Sequence, residues 1–478
     1  MDSETGSSYD QNGDSSVGCS STSTNLCGGL GISFDGLGIS GIVNEFLNVA
    51  SVMRNAGLGI SLDLGYDISM TSPLSPDLER FPPWIDLIRC IRDVQSEAYN
   101  ADLIKEAKAI VIGGTPISAI GAYTEIVRCL VDSLVGAFDR QRLRLLVVEN
   151  GTLPDNPLFT EALFLAVQEY GTATKLSKFV LWRDHDLMWS TEPQLYGNYP
   201  YPGVRKPRPD AFIHYAVATD WMRHRLQAWA SDTACHVISN RFISPTLDQH
   251  SPRSLRAAYA IPMDAYLIAR CTRIIPQKCI ERDLRLADEI QRRLESSGDH
   301  RGVFLFVTGP TRENEFEYER LRLLEDRLSI AGQVIWGGGL LPLNSLMSQN
   351  PKPVLRFSVA DLLAEADVSS FLTSFDYEGF GNPPGEAMAM GVPFIATTYE
   401  LYHEVYGRRG AVAPLLHINR NSSAEDPLPD HFVAWVLRIL TDPKYREQIV
   451  RHNRAVCIRH FSLAELENQL KQMFPDAL

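Results

Sequence analysis

The stretch SFDYEGFGNPPGEAMAMGVPFIATTY, residues 374–399, reads as strand, glycine-rich loop, helix and strand. Pro383 or Pro384 suits the first helical turn, where a missing N–H has no partner to lose, and Gly391 suits the left-handed residue that ends a helix. Such a strand-helix-strand unit is the building block of a parallel α/β sheet. Gly379 and Gly381 free backbone N–H groups at the positive N-terminus of the helix. Glu378 and Glu386 put one carboxylate in the loop and one in the first turn, where carboxylates can accept from vicinal sugar hydroxyls. A glutamate that merely complements the helix dipole accounts for Glu386, but for neither the loop composition nor Glu378.

The same alternation runs outward from this unit. Toward the N-terminus the expected strands are LGISF, GISLDLG, AIVIGG, LRLLVVE, KFVLW, FIHYAVAT and HVISN. After a segment near 241–262 that holds Pro245, Pro252 and Pro262, the pattern restarts with YLIARCT, GVFLFVTG, QVIWGG, VSSFLTS and PFIATTY. The expectation is α/β, two doubly wound parallel sheets. Residues 1–25, rich in Ser, Gly, Asp and Thr, offer little to bury and read as a disordered tail. Residues 26–243 read as the first domain, 244–440 as the second, and 441–478 as amphipathic helices able to return to the first. Open α/β sheets bind ligands at the carboxyl ends of their strands, so a cleft between the domains is the expected site.

Composition narrows the partners. The 478 residues are 45% hydrophobic, enough for two full cores, and the formal net charge of -13 argues against nucleic acid or an anionic membrane surface. The eight cysteines form no CxxC pair and lie mostly in apolar segments, which points to reduced thiols, a cytoplasmic setting and no zinc. No apolar run reaches the ~18 residues of a membrane span, and the first residues lack the basic-then-apolar order of a signal peptide.

Three further stretches carry chemistry. In RCTRIIPQKCIERDL, Arg273 and Lys278 follow a strand, where two cations can converge on a diphosphate leaving group. In FDGLGISGIVNEF, Gly36, Gly38 and Gly41 have the spacing G-x-G-x-x-G ahead of a helical pattern with Ile42, Phe46, Val49 and Met53 on one face. Such a turn lets a backbone approach any phosphate-bearing ligand, or serves as a tight turn with none. KFVLWRDHDLMW puts His185 and Asp186 just past a strand, with an aromatic loop holding Trp189, Tyr196, Tyr199 and Tyr201 after it. Asp184-His185-Asp186 is also a D-x-D, a pattern able to hold a divalent ion against a diphosphate.

The segment EGFGNPPGEAMAMGVPFIAT resembles the Glu-x7-Glu signature of the family 4 retaining glycosyltransferases, and RIIPQK resembles the Arg and Lys segment with which that family binds diphosphate. The resemblance extends over most of residues 30–470, more closely in the C-terminal half, and sets GLGISG at the family's glycine-rich first turn. It implies the GT-B fold, two Rossmann-like doubly wound parallel-sheet domains facing a central cleft. It also implies metal-independent transfer of a hexosyl group from a UDP- or GDP-linked sugar to a small-molecule acceptor, the nucleotide sugar being a co-substrate and no cofactor being needed. Carried over residue by residue, Arg273 and Lys278 bind the donor diphosphate, Glu378 the transferred sugar and Glu386 the ribose. Gly38, Gly41, Gly379, Phe380, Gly381 and Asn382 line the donor.

The pair His185 and Asp186 resembles one in a subgroup of the family that shares an upstream stretch like ENGTLPDNPLFTEAL. There the histidine hydrogen-bonds the donor sugar or orients an acceptor hydroxyl, with Asp186 on the donor side. With no carboxylate nucleophile to assign, family analogy implies same-face attack assisted by the leaving phosphate. Two departures stand out: Cys279 where the family often has glycine, and Gly385 where leucine is common. Two rival readings stay open. One is an NAD-dependent oxidoreductase using Gly36, Gly38, Gly41 and the acid Asp63, which leaves the second-domain glutamates and cations without a role. The other is a non-catalytic sugar-nucleotide-binding protein.

Overall fold

A computed structural model describes residues 28–33, 41–64, 81–91, 94, 99–153, 156–185, 187, 189, 202–244, 254–338, 340 and 357–478. The expected tail, Gly36, Gly38, Asp186, Tyr196, Tyr199 and Tyr201 lie outside the described residues.

The first sheet comprises β1 (Gly28–Ser33), β2 (Gly59–Asp63), β3 (Ile85–Leu87), β4 (Leu143–Glu149), β5 (Val180–Asp184), β6 (Ile213–Val217) and β7 (Cys235–Val237). The second comprises β8 (Tyr266–Arg270), β9 (Val303–Val307), β10 (Val334–Trp336), β11 (Val368–Phe371), β12 (Phe394–Thr397) and β13 (Leu415–Leu416). Among the described residues the strand orders are β3-β2-β1-β4-β5-β6-β7 and β10-β9-β8-β11-β12-β13, with parallel pairing throughout. Parallel strands are covered on both faces, which is why β4 reads LRLLVVE and β9 VFLFV as nearly unbroken apolar runs.

One expected strand is a helix. AIVIGG ends α2 (Ala101–Ile112), whose N-cap Asn100 accepts from the N–H of Leu103 at 3.0 Å. The apolar run at its end misleads because the preceding ADLIKEAK is made of good helix formers, and the buried Ala107 and Val111 are four residues apart, a helical spacing.

Close approach explains the glycines of β1. A side chain at Gly31 would enter the ring of Phe46, and one at Gly29 would meet Met53, so α1 (Gly41–Asn55) lies directly on the strand. The last helix, Leu463–Met473, also packs on α1, and its Leu466 and Leu470 are buried with Phe474 in one cluster that holds Val43, Phe46 and Leu47. Each such side chain contributes about 1.5–3 kcal/mol when removed from water. To reach α1 the chain leaves the long helix Pro443–His460 and passes Phe461. There the N–H of Phe242 donates to the carbonyl of Phe461 at 3.0 Å, the two rings lie 5.5 Å apart, and Arg241 Nη1 donates to the carbonyl of His460 at 3.0 Å.

Candidate active site

At the carboxyl edge of the first sheet, parallel register sets Glu149 of β4 beside Arg183 of β5. Arg183 forks onto the carboxylate through Nε at 3.0 Å and Nη2 at 2.6 Å, and His185 Nε2 approaches the same carboxylate at 2.8 Å. Glu149 and Arg183 are wholly buried and His185 is 6% exposed. Burial works to raise the Glu149 carboxyl, but the charge of Arg183 and the hydrogen bonds from Arg183 and His185 outweigh it and hold it at about 2. Asn150 turns the chain with a left-handed φ of 58°, and its Oδ1 accepts from the backbone N–H of His185 at 2.6 Å. Arg183 Nη1 and Asn150 Nδ2 are buried donors without a partner among the described residues.

Asp184 faces the other way. Its two oxygens accept from the N–H and hydroxyl of Thr152, at 3.1 and 2.5 Å, and burial pushes its carboxyl up to about 6. The first carboxylate of the D-x-D is thus committed to the loop after β4. Asn156, in the stretch likened to the histidine subgroup, caps the helix Pro157–Thr174 and donates to the Tyr99 hydroxyl at 2.7 Å, a structural task. Asp63 is 3% exposed and accepts from the N–H of Cys90 at 2.7 Å, so the acid of the oxidoreductase reading points into the fold. Trp189 is buried edge-on to Trp229 at 5.1 Å.

In the second sheet, Lys278 and Glu378 meet at 2.5 Å, with the Thr373 hydroxyl donating to the same carboxylate oxygen at 3.0 Å. The turn that carries Lys278 is pinned from beneath. The Ser374 N–H donates to the carbonyl of Gln277 at 3.1 Å, and the Thr373 hydroxyl oxygen lies 3.2 Å from the same carbonyl. Arg270, fully buried at the end of β8, donates to the carbonyl of Lys278 at 2.6 Å and to Asp283 at 2.9 Å. Cys279 leaves the turn with φ 49°, a left-handed conformation that costs a non-glycine residue about 1–2 kcal/mol, which accounts for the family's frequent glycine there. Arg273 is placed apart from the Lys278 pairing: its side chain is 61% exposed and pairs with Glu313.

The loop Glu378–Gly381 is held by two buried tyrosines, Tyr399 donating to the carbonyl of Phe380 and Tyr406 to that of Gly381, each at 2.6 Å. Gly379 and Gly381 are buried in this loop. Gly381, at φ 83°, leaves no room for a Cβ, which would sit 2.6 Å from the Tyr399 hydroxyl. The Phe380 ring is buried among Phe242, Tyr406 and Phe461, an anchor rather than a lining residue.

The helix Asn382–Met390 starts against the first domain. Asn382 Oδ1 accepts from Asn240 Nδ2 at 2.8 Å, and a Cβ on Gly41 would lie 3.2 Å from Asn382 Nδ2, so this helix and α1 face each other by their N-termini. One turn further along each are Glu386 and Glu45. Burial first, and then the charge of Glu45, push Glu386 up to about 7. Glu45 is itself raised by burial and accepts from the N–H of Arg241 at 3.2 Å.

The expected residues therefore form two groups, Lys278 with Glu378 in one domain and His185 in the other, with Gly41, Asn382 and Glu386 between. Sequence reasoning missed Glu149, Arg183, Glu45 and Arg270. Their signal was a charge at the end of a strand, or in a helix, that is otherwise apolar. Among the described residues no cluster of three or more His, Cys, Asp or Glu is placed to hold a metal, and no helix is long and apolar enough to cross a membrane.

Residues 282–441 match the family model of glycosyl transferases group 1, a span that includes Glu378 and Glu386 and begins just after Lys278. No curated protein matches the chain by sequence. Similar solved structures include a glycosyltransferase from Rickettsia africae, at 13% identity over 95% of this chain and 99% of that one, with a TM-score of 0.57. Another is the sucrose-phosphate synthase of Thermosynechococcus elongatus, at 14% identity, 94% and 98% coverage and a TM-score of 0.58. A third is WaaG, a glycosyltransferase involved in lipopolysaccharide biosynthesis, at 13% identity, 94% and 100% coverage and a TM-score of 0.54. At these identities the likeness is one of fold. The two sheets form a GT-B architecture, and the stretch that matches the group 1 glycosyl transferase model lies in the second of them.

Proposed function

We propose that the protein is a retaining glycosyltransferase that moves a hexosyl group from a UDP- or GDP-linked sugar to a small acceptor in the cleft between its sheets. The observation that carries this reading is the contact of Lys278 with Glu378 at 2.5 Å, beside a glycine-rich loop and a helix N-terminus, in a group 1 glycosyltransferase setting. A cation and a carboxylate that neutralise each other can part to meet a donor, Lys278 turning to the diphosphate and Glu378 to the sugar hydroxyls. Charge that builds on the departing diphosphate is then stabilised by Lys278 and the loop N–H groups. Arg273, on the rim with Glu313, adds its charge when the donor draws it inward. Glu386 accepts from the ribose, and His185 contacts the reacting sugar or the acceptor. Same-face attack assisted by the leaving phosphate accounts for retention without a protein nucleophile.

The test is a panel of UDP-, GDP- and ADP-linked hexoses with candidate small acceptors, followed by nucleotide release and by NMR of the anomeric proton. Transfer with the donor's anomeric configuration kept supports the reading. Inversion, or saturable donor binding without turnover, overturns it, the latter in favour of a silent nucleotide-sugar binder.

A further inference from the structure

Glu149 makes more contacts than a buried ion pair needs. Arg183 already balances its charge through two hydrogen bonds, yet the same Oε2 that takes the Nε bond of Arg183 also faces His185 Nε2 at 2.8 Å. From this geometry we infer that Glu149 is a positioning residue, which fixes the tautomer and ring orientation of His185 so that Nδ1 is the nitrogen offered to the cleft. The inference rests on the proposed role of His185, and deepens it.

A carboxylate wholly buried against a guanidinium stays ionised, so it can only accept, and Nε2 must carry the hydrogen between them. Nδ1 has no partner among the described residues. The ring is also fixed from its backbone, because Asn150 Oδ1 accepts the His185 N–H at 2.6 Å from a left-handed turn that immediately follows Glu149. Ring and main chain of His185 are therefore both set by the last residue of β4 and the one that follows it. Among the described residues the other charged groups near it are Arg183 and Asp184 on β5 and Glu45 on α1, with Arg241 beyond β7 next to Glu45 and Arg183. Arg241 holds its main chain to α1 through Glu45 and Asn48, so none of these competes for Nε2. A purely structural ion pair would tie β4 to β5 and leave the imidazole indifferent to it.

The experiment compares wild type with Glu149→Asp, which keeps the charge but shortens its reach, by two-bond 15N–1H NMR on the full chain labelled at histidine nitrogen. Because Glu149→Asp can destabilise the edge, the paired change Glu149→Gln with Arg183→Met removes both buried charges together, a replacement that folds tolerate. The expected results are a single Nε2–H tautomer in wild type, a mixture in both variants, and a fall in kcat of about ten- to hundredfold with donor KM little changed. An unchanged tautomer, or an unchanged kcat in a protein whose tautomer has shifted, overturns the inference. If the tautomer shifts as expected while wild type transfers no sugar from any donor, the orientation of His185 by Glu149 stands and the transferase reading falls.

Discussion

The ring of Phe242 fills the place that a side chain at Gly385 would occupy. Phe242 belongs to the crossing between the domains and Gly385 to the helix that follows the glycine-rich loop, so the glycine at this position lets the crossing carry that helix. Gly385→Ala should destabilise the protein by about 1–3 kcal/mol through overpacking. Adding Phe242→Leu should recover part of the loss, so that the double variant unfolds at a higher temperature than the single changes predict by addition. Additive effects in thermal unfolding would show that the two residues are not coupled.

Lys278→Ala should lower kcat by roughly a hundredfold or more, the size expected when a charged donor to the transition state is lost. Steady-state rates on a variant with a wild-type circular dichroism spectrum check this, and near-normal turnover would remove Lys278 from the site.

Donor affinity should depend on pH through Glu386, whose carboxyl sits at about 7. Only the ionised form is a full acceptor for ribose hydroxyls, so nucleotide binding strengthens as pH rises through about 7 and weakens below it. Glu45→Gln removes a like charge, lowers that carboxyl and moves the midpoint to lower pH. Titration calorimetry with UDP and GDP from pH 5.5 to 8.5 reads the shift, and Glu386→Gln should flatten the profile. A midpoint that stays put in Glu45→Gln would break the link between the two helices.

Transfer should survive exhaustive EDTA, since Lys278 and the helix N-terminus supply the charge a divalent ion would bring. Asp184→Asn should be milder than His185→Ala, because an amide can replace a carboxyl whose partners are the N–H and hydroxyl of Thr152. Loss of activity in EDTA with recovery in Mn²⁺ would return the D-x-D to the centre of the site.

The parts of the fold legible in the sequence were those with a one-dimensional signature. Buried parallel strands leave apolar runs, as in VFLFV, and a helix with a proline in its first turn leaves NPPGEAMAMG. The run AIVIGG misled because six residues cannot separate a strand from a helix end. β3 and β13, three and two residues long, leave no pattern at all. In the site, Lys278 and Glu378 were visible singly, but their contact spans a hundred residues of sequence. Glu149 and Arg183 escaped because each looks like the polar end of a strand until β4 and β5 are set side by side. The tyrosines that hold the glycine-rich loop, Tyr399 and Tyr406, follow the next strand and bond to the loop through their hydroxyls.

The chain passes between the two domains at Arg241 and Phe242 and again at His460 and Phe461, and these passages are bonded to each other. Two connections that met the domains at separate places would act like a pair of straps and resist turning about any single point. Joined as they are, they make a pin. A rotation of one domain on the other would have its fulcrum at Phe242, so that groups nearest that ring would travel least and those at the far rim most. Gly385 and its neighbour Glu386 sit at the fulcrum and Arg273 on the solvent-facing rim. The nucleoside end of a donor would meet a surface that holds still, and the diphosphate end one that can sweep.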